Sequence, residues 1–379
     1  MKKILITIDW FLPGYKAGGP VSSVANLISH LKSDFQFYII TRNTDYLENT
    51  PYQNITADKW IDFTLNTKVF YISEKNTTKI YIENLIKETD FDTIYINGIY
   101  SYFFSILPLQ ISKKIRNKKI IVCARGMLSE QAFSRKSLKK NIFITLSKFR
   151  GFYKNIIFHA TNENEKTDIL KRLGKKANIY IAPNLPRFIE NLQLKSKLKI
   201  TNQLNLVSIA RISQEKNTKF ALQCLQNISI GNIIFDIFGS IYDTNYWSEC
   251  ENVIKSLPEN IKVNYRNSIN TEKVIETFSN YHFSLMPSVG ENFGHSLLES
   301  MLAGTPVITS KNTPWKNLEN ENIGWDIDLN NEKKFKEVIE NCLSFSQAEY
   351  NKLSENCFKF AKNIIEDKKT KELYLTLFQ

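Results

Sequence analysis

The stretch FSLMPSVGENFGHSLLESMLAGTPVIT, residues 283–309, decides the fold. It begins with a short apolar run, passes through a glycine-containing loop into a helical segment, and returns to the β-branched run Val307–Thr309. Such strand–helix–strand units build parallel sheets that helices cover. Glu291 and Glu299 lie eight residues apart at the joint between strand and helix. By residue type alone they could be a general acid and base, metal ligands, or acceptors for a polar ligand.

The same alternation of apolar strands and helical segments fills both halves of the chain. The other predicted strands are Ile4–Ile8, Phe37–Ile40, Val69–Ile72, Ile94–Ile96, Ile120–Cys123, Ile156–His159, Ile179–Ala182, Leu206–Ala210, Ile233–Phe238 and Ile261–Tyr265. Residues 186–203 break the pattern and are predicted to be a linker, and two helices, 348–363 and 366–378, close the chain. We expect an α/β protein with two Rossmann-like, doubly wound parallel-sheet domains, residues 1–185 and 204–363, facing each other across a cleft.

Length and composition agree with two globular domains. Of the 379 residues, 42% are hydrophobic and 23% are charged. No apolar run reaches the roughly 18 residues of a membrane-spanning helix. The start, MKKILITIDWF, is interpreted as a buried strand rather than a signal peptide, because Asp9 interrupts its apolar run. Five scattered cysteines and four distant histidines predict reduced thiols, no metal site and a cytoplasmic protein.

Much of the net charge of +12 lies in the first half of the chain. Residues 132–155 hold seven basic residues and no acidic one, and residues 113–119 add five more. The first segment also contains the apolar residues Leu138, Ile142, Phe143, Leu146 and Phe149. It could be a solvated helix face, or a helix that contacts an anionic membrane, here the inner face of the cell membrane. Because no recognition module accompanies it, no nucleic-acid partner is expected.

Two features that follow predicted strands suit phosphate. The loop at residues 14–20 brings Gly18 and Gly19 to a helix start, where backbone N–H groups can approach an anion closely. This loop is neither the dinucleotide fingerprint nor a P-loop. Arg211 and Lys216, five residues apart, could clamp a phosphate or diphosphate. An ordinary turn and two surface charges are the alternatives.

The stretch between the two glutamates adds further donors and acceptors. At the predicted helix start, the N–H groups of Gly294, His295 and Ser296 lack helical partners and suit a phosphate. Glu291 and Glu299 could each accept two adjacent hydroxyls, and so hold two sugar rings flanking a diphosphate. The alternative for Glu299 is a solvent-facing helix charge. Together these features fit a nucleoside diphosphate-sugar.

The chain resembles retaining glycosyltransferase family 4, which has the GT-B fold. The motifs that carry the resemblance are Gly18-Gly19, Arg211-x4-Lys216, Glu291-x7-Glu299 with Asn-Phe-Gly-His between, and Ala-Gly-Thr-Pro-Val at 303–307. Arg-Gly-Met-Leu at 125–128 and His-Ala-Thr at 159–161 extend it over nearly the whole chain. It implies that the last helix, about residues 364–379, crosses back to a first, acceptor-binding domain.

The resemblance also implies roles for the matching residues. Glu291 would hold donor-sugar hydroxyls at the reacting centre, where Arg125 would also act. Glu299 would hold the ribose, and Arg211 with Lys216 would bind the diphosphate. The other residues that it places in the donor site are Gly18, Gly19, Ser268, Ile269, Asn292, Phe293, Gly294, His295 and Ser296, with the base near Ser268 and Ile269. The cations replace a metal ion, no cofactor is required besides the donor, and the leaving phosphate takes the acceptor's proton.

Two positions depart from the family's pattern. Arg125 stands where many relatives have a histidine, and an arginine there could stabilise the leaving phosphate or bind an anionic acceptor. Arg266 and Asn267 stand where a strand usually ends in a glycine, so we expect a base pocket of different shape.

We therefore expect a metal-independent, retaining hexosyltransferase. Its donor would be a nucleoside diphosphate-sugar, with a UDP-sugar favoured. Its acceptor would be a hydroxyl of a surface polysaccharide, a lipopolysaccharide or a lipid-linked oligosaccharide precursor. The alternatives are a sugar-nucleotide epimerase or hydrolase on the same fold, which would need no acceptor, and a non-catalytic sugar-nucleotide-binding protein, which would show no turnover.

Overall fold

The computed structural model describes residues 1–130, 137–189 and 191–379, with Ser137 described by its backbone alone. These residues form two compact units. The first domain comprises residues 1–188 together with 368–379, and the second domain comprises residues 189–367. The last helix therefore belongs to the first domain, and the chain leaves the second domain a few residues later than the sequence pattern suggested.

An eight-stranded sheet forms the centre of the first domain. Its strands are β1 Lys3–Thr7, β2 Gln36–Arg42, β3 Trp60–Thr64, β4 Thr67–Ile72, β5 Thr93–Asn97, β6 Lys119–Cys123, β7 Ile157–Ala160 and β8 Asn178–Ile181. Their spatial order is β3-β4-β2-β1-β5-β6-β7-β8, and β3 alone is antiparallel to its neighbour. The chain adds strands first on one side of β1 and then, from β5 onward, on the other. The carboxyl ends of β1 and β5 thus border the crevice where open α/β sheets usually bind ligands.

Helices lie on both faces of this sheet. They are α1 Gly19–Leu31, α2 Lys79–Glu88, α3 Leu107–Ser112, α4 Ser137–Phe149 and α5 Glu163–Leu173, with a 3-10 turn at Glu74–Asn76 and a π-helical turn at Tyr102–Ile106. β1 shows why both faces need cover, since successive side chains of a strand point to opposite sides. Leu5 packs in one buried cluster with Ile96, whereas Ile4 and Ile6 pack in another with Val24 of α1.

The second domain has a six-stranded sheet in which every pairing is parallel. Its strands are β9 Gln203–Ile209, β10 Asn232–Phe238, β11 Ile261–Tyr265, β12 Phe283–Met286, β13 Val307–Ser310 and β14 Gly324–Ile327. Their spatial order is β11-β10-β9-β12-β13-β14. The strand order therefore reverses between β9 and β12, and the ligand crevice of this sheet is expected at their carboxyl ends.

The second domain also carries helices on its sheet, and the last helix of the chain returns to the first domain. These helices are α6 Thr218–Gln223, α7 Thr244–Lys255, α8 Val274–Phe278, α9 His295–Leu302, α10 Glu332–Ser344 and α11 Gln347–Glu366, with a 3-10 turn at Thr271–Lys273. The last helix, α12 Lys369–Phe378, buries Tyr374, Leu377 and Phe378 in the cluster that contains Ile4 and Ile6.

Every strand predicted from the sequence overlaps an observed strand, and two observed strands were missed. β3 lies at the edge of its sheet and is partly exposed, so its sequence WIDFT is not a continuous apolar run. β14 is also an edge strand, and its sequence GWDI contains a glycine and an aspartate. Neither sequence contains the apolar run that identifies buried parallel strands, so these two strands were not identified.

Candidate functional site

Two loops that contain predicted site residues meet at the carboxyl ends of β9 and β12. The loop after β9 carries Arg211 and Lys216, and the loop after β12 carries Glu291. A backbone hydrogen bond joins them, since the Val289 N–H donates to the Glu215 carbonyl oxygen at 2.8 Å. The strand order reverses between these two strands, so the predicted donor residues lie at the crevice of the second sheet.

Lys216 and Glu291 are in direct contact. Lys216 Nζ lies 2.5 Å from Glu291 Oε1, and the Ser288 hydroxyl donates to the same oxygen at 2.9 Å. The two charged side chains are 21% and 13% exposed. The loop itself is held by the Ser310 hydroxyl, which donates to the Ser288 carbonyl oxygen, and by Glu291 N–H donating to Asn312 at 3.3 Å. The structure therefore pairs two residues that the sequence assigned separately to phosphate and to sugar.

Helix α9 begins at His295, one or two residues after the start near Phe293 or Gly294 that the sequence predicted. Gly294 precedes it with φ +76°, a left-handed conformation that glycine adopts without strain. A side chain at this position would also place its Cβ 3.0 Å from Trp315 Nε1. The Ser296 hydroxyl donates to the Ile209 carbonyl oxygen at 2.5 Å, which ties the first turn of α9 to the end of β9. The start of α9 is thereby fixed at the crevice.

Glu299 lies in the second turn of α9 and is buried, at 8% exposure. The alternative of a solvent-facing charge is therefore wrong, because a surface carboxylate would be largely exposed. Aromatic rings pack beside the helix start, with Phe293 4.7 Å from the His295 ring and 5.5 Å from the Trp315 ring between centroids. The stretch from Glu291 to Glu299 thus combines one partly exposed carboxylate, a helix start and one buried carboxylate.

Arg211 lies on the same loop as Lys216 but makes different contacts. Its Nη2 is 3.7 Å from Glu215 Oε2, and its guanidinium carbon lies 5.8 Å from the ring centroid of Tyr242. Its side chain is 30% exposed, so an anion can reach it from solvent. An exposed ion pair at this distance is weak and can be exchanged for a phosphate at little cost.

Ser268 and Ile269 follow β11 in the same sheet. Ile269 packs against a small buried cluster that includes Ile209 and Phe278. Before them, Arg266 Nε donates to Asp236 Oδ2 at 3.0 Å, and the Tyr281 hydroxyl donates to the same oxygen at 2.7 Å. The arginine that replaces the usual glycine therefore has a structural partner, a buried aspartate of β10. No isolated sequence pattern pointed to this carboxylate.

In the first domain, Gly18 and Gly19 connect the loop after β1 to helix α1. Gly18 has φ +72°, and no atom would lie within 4 Å of a Cβ built on Gly19. Asp45 holds the loop by accepting hydrogen bonds from the N–H groups of Tyr15 at 3.0 Å and Lys16 at 3.3 Å. The backbone at Gly19 is therefore open to a ligand, whereas the start of the loop is fixed.

Arg125 follows β6 and is held by neutral groups of the first domain. It has φ +53°, Nε donates to Asn97 Oδ1 at 2.7 Å, and another guanidinium nitrogen donates to Asn184. Nη2 donates to the Tyr95 hydroxyl at 3.2 Å. No ion pair of Arg125 occurs within residues 1–130, 137–189 and 191–379. Its positive charge is therefore held in place without a bound carboxylate.

A buried network of hydrogen bonds holds the groups that contact Arg125. The Tyr95 hydroxyl lies 2.7 Å from His159 Nδ1, and His159 Nε2 lies 2.8 Å from the Ala182 carbonyl oxygen. Because a carbonyl can only accept, Nε2 carries the proton and Nδ1 accepts from Tyr95. The buried carboxylate of Glu165 accepts from Gly126 N–H at 2.7 Å, which fixes the backbone just after Arg125. His159 and Glu165 are therefore positioning residues, and the sequence had indicated only the motif that contains His159.

Two features are absent from the described part of the chain. No group of three or more His, Cys, Asp and Glu side chains there is placed to hold a metal ion. No helix there is both long and apolar enough to cross a membrane.

The comparisons with known proteins agree with this fold. Residues 190–362 match the family described as Glycosyl transferases group 1. An uncharacterized 41.2 kDa protein in the cps region of Klebsiella pneumoniae is 21% identical over 299 residues, which cover 77% of this chain and 80% of that protein. Among solved structures, Anabaena HepE in complex with UDP and glucose matches with a TM-score of 0.70 at 14% identity, over 100% of this chain and 98% of that one. WaaG, a glycosyltransferase involved in lipopolysaccharide biosynthesis, matches with a TM-score of 0.67 at 13% identity, over 99% of each chain. At these identities the solved structures establish the two-domain GT-B fold.

Proposed function

We propose, on the premise that this chain is a glycosyltransferase with a group 1 domain at residues 190–362, that it moves a hexose from a nucleoside diphosphate-sugar to a saccharide hydroxyl. The observation that carries the proposal is the contact between Lys216 and Glu291 at the crevice of the second sheet. It places a cation for phosphate and a carboxylate for sugar hydroxyls within one hydrogen bond of each other. A diphosphate joined directly to a sugar ring has the same adjacency.

The neighbouring groups support a diphosphate more specifically. Arg211 offers a planar fork, Lys216 a point charge, and the start of α9 a set of oriented N–H groups. Glu299, buried one turn further along, suits the ribose diol. We propose UDP as the nucleotide, because HepE, which shares the fold, is bound to UDP and glucose. With two cations at the diphosphate, the proposed reaction requires no metal ion.

The transfer step follows from these assignments. The bond between the anomeric carbon and the leaving phosphate oxygen breaks while the acceptor oxygen bonds to that carbon. The acceptor enters on the face from which the phosphate leaves, so the configuration is retained. The proton of the acceptor hydroxyl passes to the leaving phosphate oxygen, so no enzyme nucleophile is needed. Arg211 and Lys216 stabilise the negative charge that develops on the phosphate. Arg125, in the first domain, supplies a positive charge for an anionic acceptor.

Substitutions in the second domain test the proposed donor site. Glu299→Ala and Lys216→Ala should each reduce transfer by about 100-fold or more, because each removes a charge-assisted contact to the donor. Lys219→Ala is the matched control, since Lys219 is a partly exposed lysine of the same region that pairs with Glu249. Thermal-shift measurements with UDP, GDP, ADP and their sugars identify the donor, and sugar transfer is followed with the one that binds. Transfer at the wild-type rate by both variants would show that the donor site lies elsewhere.

We further propose that the acceptor is a surface polysaccharide, lipopolysaccharide or lipid-linked precursor reached at the cytoplasmic face of the membrane. Helix α4 supports this, because it has two apolar faces. Phe143 and Ile144 pack inward against the core of the first domain. The exposed side chains on the other face are Leu138 at 72%, Ile142 at 52%, Leu146 at 48% and Phe149 at 91%. Those four lie within roughly 80° of arc at 3.6 residues per turn, and the core does not use them.

Basic residues border this exposed apolar stripe. Lys139 and Lys148 are exposed on either side of it, and Arg150 follows the helix. Arg135 and Lys136, which the sequence included in the same basic segment, lie outside the described residues. A helix with an apolar stripe between cations binds anionic lipid surfaces through both charge and insertion.

Vesicle co-sedimentation tests the membrane contact. The protein should sediment with phosphatidylglycerol-containing vesicles and not with pure phosphatidylcholine, and added salt should release it. Phe149→Ser should weaken binding to anionic vesicles by several-fold, because it removes the most exposed apolar side chain of the stripe. Ile80→Ser is the matched control, since Ile80 is 74% exposed on helix α2 of the same domain. Equal binding to neutral and anionic vesicles would contradict the proposal.

A further inference from the structure

A polar cluster in the first domain lies at the reversal of strand order between β1 and β5, outside the residues assigned above. Asp9 follows β1, and its Oδ1 accepts a hydrogen bond from the Ser101 hydroxyl at 2.7 Å. Arg42, at the end of β2, donates from Nη2 to the same oxygen at 3.3 Å. Ser101 lies in the loop after β5, so the bond between Asp9 and Ser101 spans the crevice of this sheet.

The backbone holds these side chains rigidly. The Asp9 carbonyl oxygen accepts from Arg42 N–H at 3.2 Å and from the Thr41 hydroxyl at 3.2 Å. Ser101 also accepts a hydrogen bond from Phe104 N–H at 3.4 Å, which caps the π-helical turn at Tyr102–Ile106. Single π-helical turns occur frequently at functional sites, because they reposition side chains that a regular helix would direct elsewhere.

Solvent reaches both charged groups of the cluster. The Asp9 side chain is 19% exposed and that of Arg42 is 33% exposed. Within the described part of the chain, Asp9 Oδ1 takes both hydrogen bonds and Oδ2 takes none. Burial raises the pKa of the Asp9 carboxyl, and the hydrogen bond from Ser101 and the charge of Arg42 act in the opposite direction. One oxygen of the Asp9 carboxylate therefore has capacity for another donor, on a side chain that solvent reaches.

Aromatic rings border the same cluster. Trp10 is partly exposed and lies edge-on to Tyr46, with 4.8 Å between ring centroids. The guanidinium carbon of Arg42 lies 5.8 Å from the Trp10 ring and 4.9 Å from the Phe104 ring. A sugar ring presents hydroxyls at its edge and C–H groups on its faces. A carboxylate and a guanidinium beside an indole match both surfaces.

We propose that Asp9, Arg42 and Trp10 form a saccharide subsite. In it, Asp9 Oδ2 accepts from one hydroxyl of the acceptor sugar, Arg42 donates to a neighbouring hydroxyl oxygen, and the Trp10 ring packs on the C–H face. Naming this sugar the acceptor rests on the function proposed above. The subsite recognises a neutral polyol, whereas Arg125, which forms no ion pair within the described residues, suits an anionic group.

Saturation-transfer NMR on the full chain tests this subsite. The probes are the methyl glycosides of glucose, galactose, mannose and N-acetylglucosamine. The wild type should bind at least one of them, and Asp9→Asn should weaken that binding by about tenfold through loss of a charge-assisted hydrogen bond. Trp10→Ala should weaken it as well. Asp62→Asn is the matched control, since Asp62 is an 87% exposed aspartate of the same domain.

Separate outcomes distinguish this subsite from the donor site. The UDP-induced thermal shift should be unchanged in Asp9→Asn, because the donor residues lie in the second domain. Unchanged glycoside binding by Asp9→Asn would show that Asp9 and Arg42 form a structural ion pair only, and a wild type that binds UDP but no glycoside would also overturn the subsite. Should Asp9→Asn unfold, Trp10→Ala tests the subsite instead, because unchanged glycoside binding by that variant would also contradict it. Absence of nucleotide binding by the wild type would contradict the proposed function instead.

Discussion

Lys216 and Glu291 show what a contact adds to a motif. Each residue was identified from its neighbours in the sequence, one as a phosphate ligand and the other as a sugar ligand. The two residues are 75 positions apart in the chain, yet Lys216 Nζ lies 2.5 Å from Glu291 Oε1. The Ser288 hydroxyl donates to the same oxygen. The side chains of Lys216 and Glu291 are 21% and 13% exposed. Water therefore does not fully screen their attraction, and neither charge is fully removed from water. A ligand that offers hydroxyls to Glu291 and phosphate oxygens to Lys216 can therefore replace their mutual contact with contacts of equal polarity.

His159 carries a prediction about pH. Burial, with the nearby positive charge of Arg125, lowers the pKa of His159 to about 3 from its ordinary 6.5. The unfolded chain therefore binds a proton between these values that the folded chain does not. The free energy of unfolding should fall as the pH is lowered from 6.5, by about 1.4 kcal/mol per pH unit from this residue. Urea unfolding at several pH values from 7.5 to 5 measures the slope.

His159→Gln is the comparison for this measurement. Glutamine can donate to the Ala182 carbonyl oxygen and accept from Tyr95 but does not titrate. The variant should be less stable than the wild type at pH 7.5, and the gap should narrow as the pH falls. Identical slopes for the two proteins would show that His159 is protonated to the same extent in the folded and unfolded chains.

Helices and strands differ in how far the sequence determined them. The buried parallel strands were all predicted, because both of their faces are apolar and their runs are continuous. Strands β3 and β14 were not, because their sequences WIDFT and GWDI lack such a run. Helix α4 was predicted as basic and partly apolar. Only the structure separates its inward residues Phe143 and Ile144 from the outward stripe, since the sequence does not show which arc meets the core.

The C-terminal end of helix α10 depends on a lysine from the linker. Lys199 is buried, and its Nζ donates to the carbonyl oxygens of Leu343 at 3.2 Å and Phe345 at 3.4 Å, and to that of Ile200 at 3.0 Å. The last carbonyl groups of a helix lack helical partners and carry partial negative charge. Lys199→Met should therefore lower the free energy of unfolding of the second domain by about 1–3 kcal/mol. Urea unfolding monitored by circular dichroism measures the loss.

Lys195→Met provides the matched control for this helix end. Lys195 is an exposed lysine of the same linker, so its substitution should change stability by about 0.5 kcal/mol or less. Equal stability of the Lys199→Met and Lys195→Met proteins would show that water or backbone groups satisfy the end of α10 without the ammonium group.

The candidate sites show a limit of sequence reasoning at the level of the molecule. Residues next to a motif could be predicted to within a residue or two, such as the start of α9, which was expected near Phe293 or Gly294 and lies at His295. Residues that approach from distant elements could not, because nothing in their own segments distinguishes Asp236, Glu165 and Trp315 from other residues of the same type. The cluster around Asp9 is a similar case. It becomes visible once the strand order places the ends of β1 and β5 side by side.

Helix α12 contributes to the core of the first domain and is expected to stabilise that domain as a whole. Its Phe378 is fully buried, and its ring lies 5.5 Å from that of Phe35 and 5.6 Å from that of Tyr95. The final residues of the chain thus complete a core that begins with β1. Phe378→Ala should cost the first domain about 3–5 kcal/mol, whereas Leu373→Ala, at a position 37% exposed on the same helix, should cost far less. Hydrogen exchange measured by mass spectrometry assigns the effect, with peptides from β1 and β5 losing protection in Phe378→Ala while those from β9 and β10 keep theirs. Equal loss of protection in both sets would show that α12 stabilises the second domain as well.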